Sequence, residues 1–313
     1  MGPILRRHLS SAVVTGCTGC IGQALVRSLL DHSCEVFAVL RPNSERNHTL
    51  PNDPKLHQIE LELEQISNIP ERVSKPISTF FHLGWTNTYG SGRHDMEAQI
   101  RNVQYTLEAL QASKKMNCKC FVFAGSQAEY GRVQGALRPE TPCFPENGYG
   151  MAKLCAGQMV RKICEQGELE AIHVRFLSVY GPHDRKETII SSVIRSLIAG
   201  KRPALSKGEQ VWDFLYSEDA AEALIAAAKN GKNGAVYPLG SGSARPLREY
   251  IEILRDKIDP SLPLGFGEIP YDPQQVMHLE ADISALETDC GFRPRTSFEE
   301  GVQKTINWIK GEL

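Results

Sequence analysis

The sequence predicts an α/β fold in which a doubly wound parallel sheet carries helices on both faces, with a smaller C-terminal α/β lobe beside it. Apolar segments of strand length alternate with helical patterns up to about residue 180, and a glycine-rich turn joins the first strand to the first helix. Beyond that point the alternation loosens into Pro- and Gly-rich pieces. We therefore expect a large domain over residues 1–180 and a smaller lobe over residues 181–313, with residues 208–240 returning to the first domain.

The first unit is a strand, a turn and a helix. Residues 12–14 form a short run rich in β-branched side chains, and Ile21, Leu25 and Leu29 follow at helical spacing. Residues 34–40 are typical of a second buried strand. Together these pieces have the length of a strand–helix–strand unit, which is about 30 residues.

Four later segments are predicted to be strands, at residues 56–61, 79–83, 120–124 and 172–176. Residues 97–116 carry Ile100, Val103, Leu107 and Leu110 at helical spacing, so we expect this apolar face to pack on the sheet.

The chain ends in a predicted amphipathic helix. The sequence Ser-Phe-Glu-Glu at residues 297–300 is a capping box, and Val302, Ile306 and Ile309 follow on one helical face.

Composition excludes several classes of protein. With 41% hydrophobic and 23% charged residues, the chain is ordinary for a globular protein, and no segment approaches the roughly 18 apolar residues of a membrane helix. The first 11 residues lack the apolar run of a secretory signal, and no basic block suits nucleic acid at a net charge of −2. We expect a cytoplasmic protein with no membrane or nucleic-acid partner.

The nine cysteines do not predict a metal site. Cys17 and Cys20, like Cys118 and Cys120, lack a second ligand pair at zinc spacing, so reduced thiols are expected. A redox pair at Cys17 and Cys20 is the alternative, but both lie inside the glycine-rich turn.

The turn after the first strand has the pattern of a dinucleotide-binding (Rossmann) loop. Its glycines allow a tight turn and a close approach of the backbone to a pyrophosphate, and the helix that follows points its N–H groups at the anion. The strand before it and the helix after it are the context that this motif requires. The candidate cofactor-binding residues of the loop are Thr15, Gly16, Thr18, Gly19, Cys20, Ile21 and Gly22.

Arg41 favours NADP over NAD as the cofactor. A fold that prefers NAD usually offers an acid to the ribose hydroxyls about 20 residues past the loop. This chain has Arg41 there, which could grip a 2′-phosphate, with Arg46 as a second contact. NAD is the alternative, because Arg41 could instead be a solvated residue that stacks on adenine.

Tyr149 and Lys153 are four residues apart and share one face if their segment is helical. At ~4 Å and an effective dielectric constant near 20, the attraction of phenolate to ammonium is about 4 kcal/mol, or about three pKa units. That would bring the pKa of the tyrosine toward neutrality and make it a general acid or base. The alternative is an exposed pair on a surface helix.

Several motifs, in order, resemble the extended short-chain dehydrogenase/reductase family, which contains nucleotide-sugar epimerases, dehydratases and reductases. The resemblance spans nearly the whole chain. Besides the glycine loop, the motifs lie at residues 80–84, 121–126, 130–131, 149–153, 175–182 and 212–219.

The resemblance implies a role for each catalytic candidate. Ser126 would hydrogen-bond the reacting oxygen, Tyr149 would exchange its proton, and Lys153 would tune Tyr149 and hold the nicotinamide ribose. Asn102 would hold a polar group such as a water, or else simply lie on a helix face.

The resemblance also implies residues that line the cofactor channel and the substrate site. His82, Leu83 and Gly84 would line the channel, although His82 could equally be a satisfied histidine at a strand end. The candidate substrate-binding residues are Gln127, Ser178 and Trp212.

Four positions depart from the family pattern. Trp212 replaces an arginine for the substrate diphosphate, and Ser178 replaces an asparagine. Gln127 and Ala128 replace the Asp-Glu pair that 4,6-dehydratases use, which argues against a dehydratase.

The favoured function is NADPH-dependent reduction of a nucleotide-linked 4-keto (deoxy)sugar by a homodimer, because residues 125–131 are similar to deoxysugar enzymes and Arg41 suits NADPH. A redox-neutral nucleotide-sugar epimerase would use the same residues. Two further alternatives are a reductase of a non-nucleotide ketone, suggested by Trp212, and a non-catalytic dinucleotide-binding regulator.

Overall fold

The structure is a computed structural model that describes residues 7–312. Residues 1–6 and residue 313 lie outside that range. The predicted large domain and the N-terminal segment considered as a signal both begin within residues 1–6.

Strands and helices alternate along the chain, as expected for an α/β fold. The strands are β1 (Ser11–Thr15), β2 (Glu35–Leu40), β3 (Leu56–Glu60), β4 (Thr79–His82), β5 (Cys120–Ser126), β6 (Glu170–Phe176), β7 (Ser178–Tyr180), β8 (Ala204–Leu205), β9 (Val211–Trp212), β10 (Phe214–Tyr216), β11 (Val236–Leu239), β12 (Arg245–Pro246) and β13 (Gly265–Phe266). The helices are α1 (Cys20–Asp31), α2 (Ile69–Arg72), α3 (Met96–Lys115), α4 (Gly148–Cys164), α5 (Ile189–Ile198), α6 (Ser217–Asn230), α7 (Leu247–Ile258) and α8 (Phe298–Glu312).

The main sheet confirms the predicted fold class. Its seven parallel strands lie in the order β11-β6-β5-β4-β1-β2-β3. Helices α1 and α6 cover one face, and α3 and α4 cover the other. The strand order reverses between β1 and β4, so a crevice opens at the carboxyl ends of these strands.

The buried face of α3 differs from the predicted one. Leu110 is buried, but Ile100 is 69% exposed. The helix instead turns small and polar side chains inward, among them Ala98, Thr106 and Ala109. Small side chains allow close packing of α3 on α4, and the apolar spacing alone did not reveal this.

The prediction for the last helix is confirmed. The backbone N–H of Ser297 donates to the Glu300 carboxylate at 3.0 Å, and the N–H of Glu300 lies 3.3 Å from the Ser297 hydroxyl. Val302, Ile306 and Ile309 are fully buried.

The chain beyond β7 divides its contacts between the main sheet and a separate core. Strand β11 pairs with β6, and α6 packs against α1. Helices α5, α7 and α8 surround a second hydrophobic core. In it, the ring centroids of Tyr250 and Phe298 lie 4.5 Å apart. This arrangement puts the second core beside the carboxyl ends of the main strands.

Candidate active site

The glycine loop between β1 and α1 has the shape that a dinucleotide requires. Gly16 has a φ of +70°, and a Cβ there would lie 2.8 Å from the backbone carbon of Leu83. A Cβ on Gly22 would collide with the carbonyl oxygen of Gly16. Gly19 begins the helix without a side-chain cap, and no acid lies in the first turn. The free N–H groups of α1 therefore suit a pyrophosphate, and the loop fits this cofactor.

A cleft of about 880 Å³ extends from this loop. It brings together the predicted loop residues, Arg41, Leu83, Gly84 and the three candidates Ser126, Tyr149 and Lys153. The cleft thus joins the end of β5 and the start of α4 to the glycine loop.

His82 does not line the cleft, which corrects its assignment to the cofactor channel. Its Nδ1 lies 3.0 Å from the hydroxyl of Thr15, and its Nε2 lies 3.2 Å from that of Thr106. Burial, with the charge of Lys153, lowers the pKa of His82 to about 3. The Thr15 hydroxyl also accepts the N–H of Gly84 at 2.9 Å, so this neutral histidine braces two channel residues from behind.

Tyr149 lies in the first turn of α4. The helix begins there because Asn147 caps it, accepting the N–H of Gly150 at 2.9 Å. The ring of Trp85 meets the Tyr149 ring edge-on, with centroids 6.2 Å apart. Burial raises the pKa of Tyr149, while the Ser126 hydroxyl and the charge of Arg93 lower it, and the net pKa lies above its usual value.

Lys153 is only 3% exposed, and its Nζ lies 5.9 Å from the centroid of the Tyr149 ring. Its Nζ donates to the carbonyl oxygen of Ala124 at 2.6 Å and lies 3.8 Å from the centroid of the Trp85 ring. Burial lowers its pKa to about 7, against the charge of Glu129, which raises it. The expected near-neutral pKa of Tyr149 was therefore wrong for this arrangement, because burial outweighs the Ser126 hydroxyl and the charge of Arg93, and Lys153 donates its hydrogen bond to Ala124.

Asn102 is buried, and its side chain is fully used within the protein. Its Oδ1 accepts the N–H of Thr86 at 2.9 Å, and its Nδ2 donates to the carbonyl oxygens of Thr86 and Ala98 at 3.1 and 3.0 Å. The amide therefore holds the cleft-lining loop after β4, and the expected water-holding role is replaced by loop support.

The three predicted substrate residues lie outside the lining of the main cleft. The indole N–H of Trp212 donates to the Ser178 hydroxyl at 2.6 Å. Trp212 also borders a separate apolar cavity of about 280 Å³ with Phe266 and Leu247. Leu177, next to Ser178, lines the main cleft, so the two cavities are neighbours. Gln127 stands in a 3-10 turn directly after β5.

Glu129 was not among the predicted site residues. Its carboxylate is fully buried and accepts the N–H of Ser126 at 2.8 Å and the Nε–H of Arg175 at 2.7 Å, and it lies 3.1 Å from Nε2 of His173. Burial raises the pKa of Glu129. His173, Arg175 and the Ser126 N–H lower it by more than burial raises it, so the net pKa lies below its usual value. The Ser-x-x-Glu spacing from Ser126 to Glu129 is a capping box and could have revealed this contact.

Other cleft residues come from loops that carried no motif. They are Ser44, Glu62, Trp85, Thr86, Asn87, His183, Asp184 and Arg185. Arg46, also in the lining, donates to the carbonyl oxygen of His183 and so joins the two sides of the cleft.

The cysteines form no disulfide within residues 7–312. Cys17 is buried, with its sulfur 3.2 Å from the carbonyl oxygen of Val39, whereas Cys20 lines the cleft. The two thiols thus face different surroundings, which argues against a redox pair. Across the same residues, no group of three His, Cys, Asp or Glu side chains could hold a metal ion. No helix of the described chain has the length and apolarity to cross a membrane.

Comparison with known sequences agrees with this geometry. The sequence model of the NAD dependent epimerase/dehydratase family matches residues 12–240. A putative UDP-glucose 4-epimerase of Methanocaldococcus jannaschii is 26% identical over 310 residues, which cover 95% of this chain and 98% of the relative.

Two solved structures are similar over almost the whole chain. The UDP-N-acetylglucosamine 4-epimerase from Methanobrevibacter ruminantium, in complex with UDP-N-acetylmuramic acid, superposes with a TM-score of 0.88 at 25% identity and covers 97% of this chain and 99% of its own. MoeE5 in complex with UDP-glucuronic acid and NAD gives 0.84 at 28% identity, with 97% and 100% covered.

The family match runs from the first strand to the end of β11 and therefore includes the glycine loop and the cleft. The chain belongs to the NAD dependent epimerase/dehydratase family and is an enzyme of the extended short-chain dehydrogenase/reductase type.

Proposed function

We propose that this enzyme is a redox-neutral epimerase of a nucleotide-linked sugar, which oxidises a ring hydroxyl and reduces the resulting ketone from the other face. The observation that carries the proposal is the meeting of Ser126, Tyr149 and Lys153 with the glycine loop in one cleft. The relatives support the substrate class, because their complexes contain UDP-sugars and, in MoeE5, NAD. A panel of nucleotide sugars, with products separated by chromatography, tests it.

In this proposal the protein moves one proton. When bound, the nicotinamide supplies the acceptor and donor of a hydride. Tyr149, as a phenolate, takes the proton of the sugar hydroxyl while Ser126 hydrogen-bonds the same oxygen. Lys153 would hold the nicotinamide ribose. On return of the hydride, Tyr149 gives the proton back to the oxygen, so no proton or electron is consumed overall.

The surroundings of Ser126 favour epimerisation over dehydration. Loss of water from a keto sugar needs an acid and a base beside the ring. Gln127 and Ala128 have no ionisable group, and both carboxylate oxygens of Glu129 are engaged with buried partners. The residues that directly follow Ser126 therefore offer no free acid and base for the loss of water, which supports hydride return as the route of a keto intermediate.

Reduction of a 4-keto sugar with NADPH is the second candidate, and Arg41 favours it. Arg41 lines the cofactor cleft with Ser44 and Arg46, at a position where an acid would suit NAD. We propose that this group binds a 2′-phosphate. A reductase would consume one NADPH for each product, whereas an epimerase would consume none.

The Arg41→Ala variant should lose affinity for NADPH about tenfold or more, and affinity for NADH much less. Only NADPH carries the 2′-phosphate, and a charge-assisted hydrogen bond contributes about 1.5–3 kcal/mol. Cofactor fluorescence titration measures both affinities. Arg293→Ala, which removes a well-exposed guanidinium outside the cleft, is the control. Equal losses for the two cofactors, or a wild type that prefers NADH, would refute the 2′-phosphate site.

We propose that Trp212 is an aromatic wall for the distal part of the substrate. It borders the apolar cavity next to the main cleft and is only partly buried. Trp212→Ala should therefore raise KM about tenfold or more, since stacking on a base contributes about 1–3 kcal/mol, with little change in Tm. Trp212→Phe, which keeps a stacking ring, should restore most of the affinity. A fall in Tm with an unchanged KM would assign Trp212 to the core.

We also propose that the enzyme is a homodimer through the outer faces of α3 and α4. Ile100 on α3 and Met151, Met159 and Ile163 on α4 are 69%, 47%, 43% and 38% exposed, and the two helices pack side by side. An apolar face of this kind suits a two-fold contact in which each copy uses the same surface. Sedimentation equilibrium tests it, and a monomeric wild type would contradict the dimer.

The cysteines support a cytoplasmic location. All nine lie within residues 7–312 and are unpaired there, and unpaired thiols persist in reducing compartments. Cell fractionation with an antibody to the protein tests this proposal, and recovery from an oxidising compartment would refute it.

A further inference from the structure

Arg93 is an arginine beside the candidate base that no motif singled out. It lies in the 3-10 turn Gly90–His94, just before α3. The carbon of its guanidinium is 4.8 Å from the centroid of the Tyr149 ring. Its Nε is buried and has no hydrogen-bond partner within residues 7–312. The nearby carboxylate of Asp95 accepts the N–H of Ala98 at 3.0 Å, where it caps α3.

Arg93 is closer to the Tyr149 ring than Lys153 is. The Nζ of Lys153 lies 5.9 Å from the ring centroid and is committed to the carbonyl of Ala124. The other groups that act on the phenol are the Ser126 hydroxyl, which stabilises a phenolate, and the buried charge of Glu129, which opposes it. Trp85 contributes only an aromatic edge. The cation stacked on the phenol face is therefore that of Arg93.

We propose that Arg93 is a positioning residue that holds the Tyr149 ring by stacking and stabilises its phenolate, a task that the sequence pattern assigns to Lys153. A guanidinium over an aromatic face is attracted by the ring, and more strongly once the ring oxygen is charged. Because the Nε–H has no acceptor within residues 7–312, no hydrogen bond from that atom competes with this interaction. The inference rests on the proposed role of Tyr149 in the reaction.

The direction of the effect follows from charge. Burial raises the pKa of Tyr149, and the charge of Arg93 lowers it. Removing that charge should therefore raise the pKa, by about one unit, which is about a tenfold smaller phenolate fraction at any pH below the pKa. If Tyr149 acts as the base in the oxidation step, the variant would then reach the same phenolate fraction only at a correspondingly higher pH.

The test is a titration of the cofactor-free protein, followed by the ultraviolet absorbance of tyrosinate. The signal of Tyr149 is the difference between each protein and the same protein with Tyr149→Phe. We expect Arg93→Met, which keeps the apolar stem, to raise the pKa of Tyr149 by about one unit. Arg93→Lys, which keeps the charge, should return the pKa of Tyr149 most of the way to its wild-type value. An unchanged pKa in Arg93→Met would overturn the proposal.

Steady-state kinetics separate this inference from the proposed function. The pH at which kcat is half-maximal should rise in Arg93→Met in parallel with the titration, with little change in KM. A rise in KM alone, with an unchanged titration, would overturn the proposal and make Arg93 a substrate contact. If Arg93→Met does not fold, as judged by its thermal melt, Arg93→Gln takes its place under the same criteria. Full activity of Tyr149→Phe would refute the proposed function, while the titration would still test Arg93.

Discussion

Replacing Tyr149 with phenylalanine should lower turnover about 10²–10⁴-fold, the range typical of losing a general acid or base. The ring keeps its place between Trp85 and Arg93, and only the phenol proton is lost. Cofactor affinity should therefore be unchanged within about twofold, because the glycine loop and Lys153 are intact. Steady-state kinetics and cofactor titration on the same preparation measure both quantities.

Tyr105→Phe is the matched control for this prediction, since it removes a phenol on α3 that does not line the cleft. Its turnover should equal that of the wild type. A loss of less than tenfold in Tyr149→Phe would mean that another group exchanges the proton.

Replacing Glu129 with leucine should destabilise the protein by about 3–5 kcal/mol, because it leaves Arg175 buried without its partner. Arg175 is 5% exposed, and the carboxylate is its only ion-pair partner in the described part of the chain. Unfolding in urea, followed by circular dichroism, measures the free energy of unfolding.

A second variant makes this prediction specific to charge. Glu129→Leu combined with Arg175→Met removes both charges, and replacing a buried pair with apolar side chains is often neutral. The double variant should therefore be more stable than the single one. A single variant that loses less than about 1 kcal/mol, or a double variant that loses the sum of both single changes, would contradict the role of this pair.

The same carboxylate gives a pH dependence. The pKa of Glu129 in the folded protein lies below its usual value of 4.5, so the folded state binds its proton less readily than the unfolded chain does. The stability that it contributes is complete above the unfolded pKa and is lost as the pH falls through the folded one. Acid unfolding should therefore occur at higher pH in Glu129→Gln than in the wild type, as followed by circular dichroism.

The local parts of the fold were predictable because their causes are local. The glycine loop, the capping box at Ser297 and the spacing of Tyr149 and Lys153 each fix a short stretch of chain, and all appear in the structure. The face of α3 was not predictable in this way. Close packing on α4 determines which side of α3 is buried. Ile100 is therefore exposed, although its spacing fits an apolar face.

The contacts in the site that the sequence did not reveal join distant segments of the chain. Asn102 holds the loop after β4, and Glu129 meets Arg175 from β6. The ammonium of Lys153 lies on Trp85 and Ala124 and not on the phenol. In each case the sequence supplied the residue type, but the partner and the burial came from the tertiary structure.

The most direct test of the proposed function is the fate of a deuterium placed on the reacting ring carbon of a nucleotide sugar. An epimerase should return the deuterium to the same carbon, so the product is the epimer with its label retained and no net change in the cofactor. Mass spectrometry locates the label, and cofactor absorbance follows reduction. Net consumption of NADPH by a keto sugar would instead assign the reductase. Transfer of the label to another carbon with loss of water, or no conversion of any nucleotide sugar, would contradict the account.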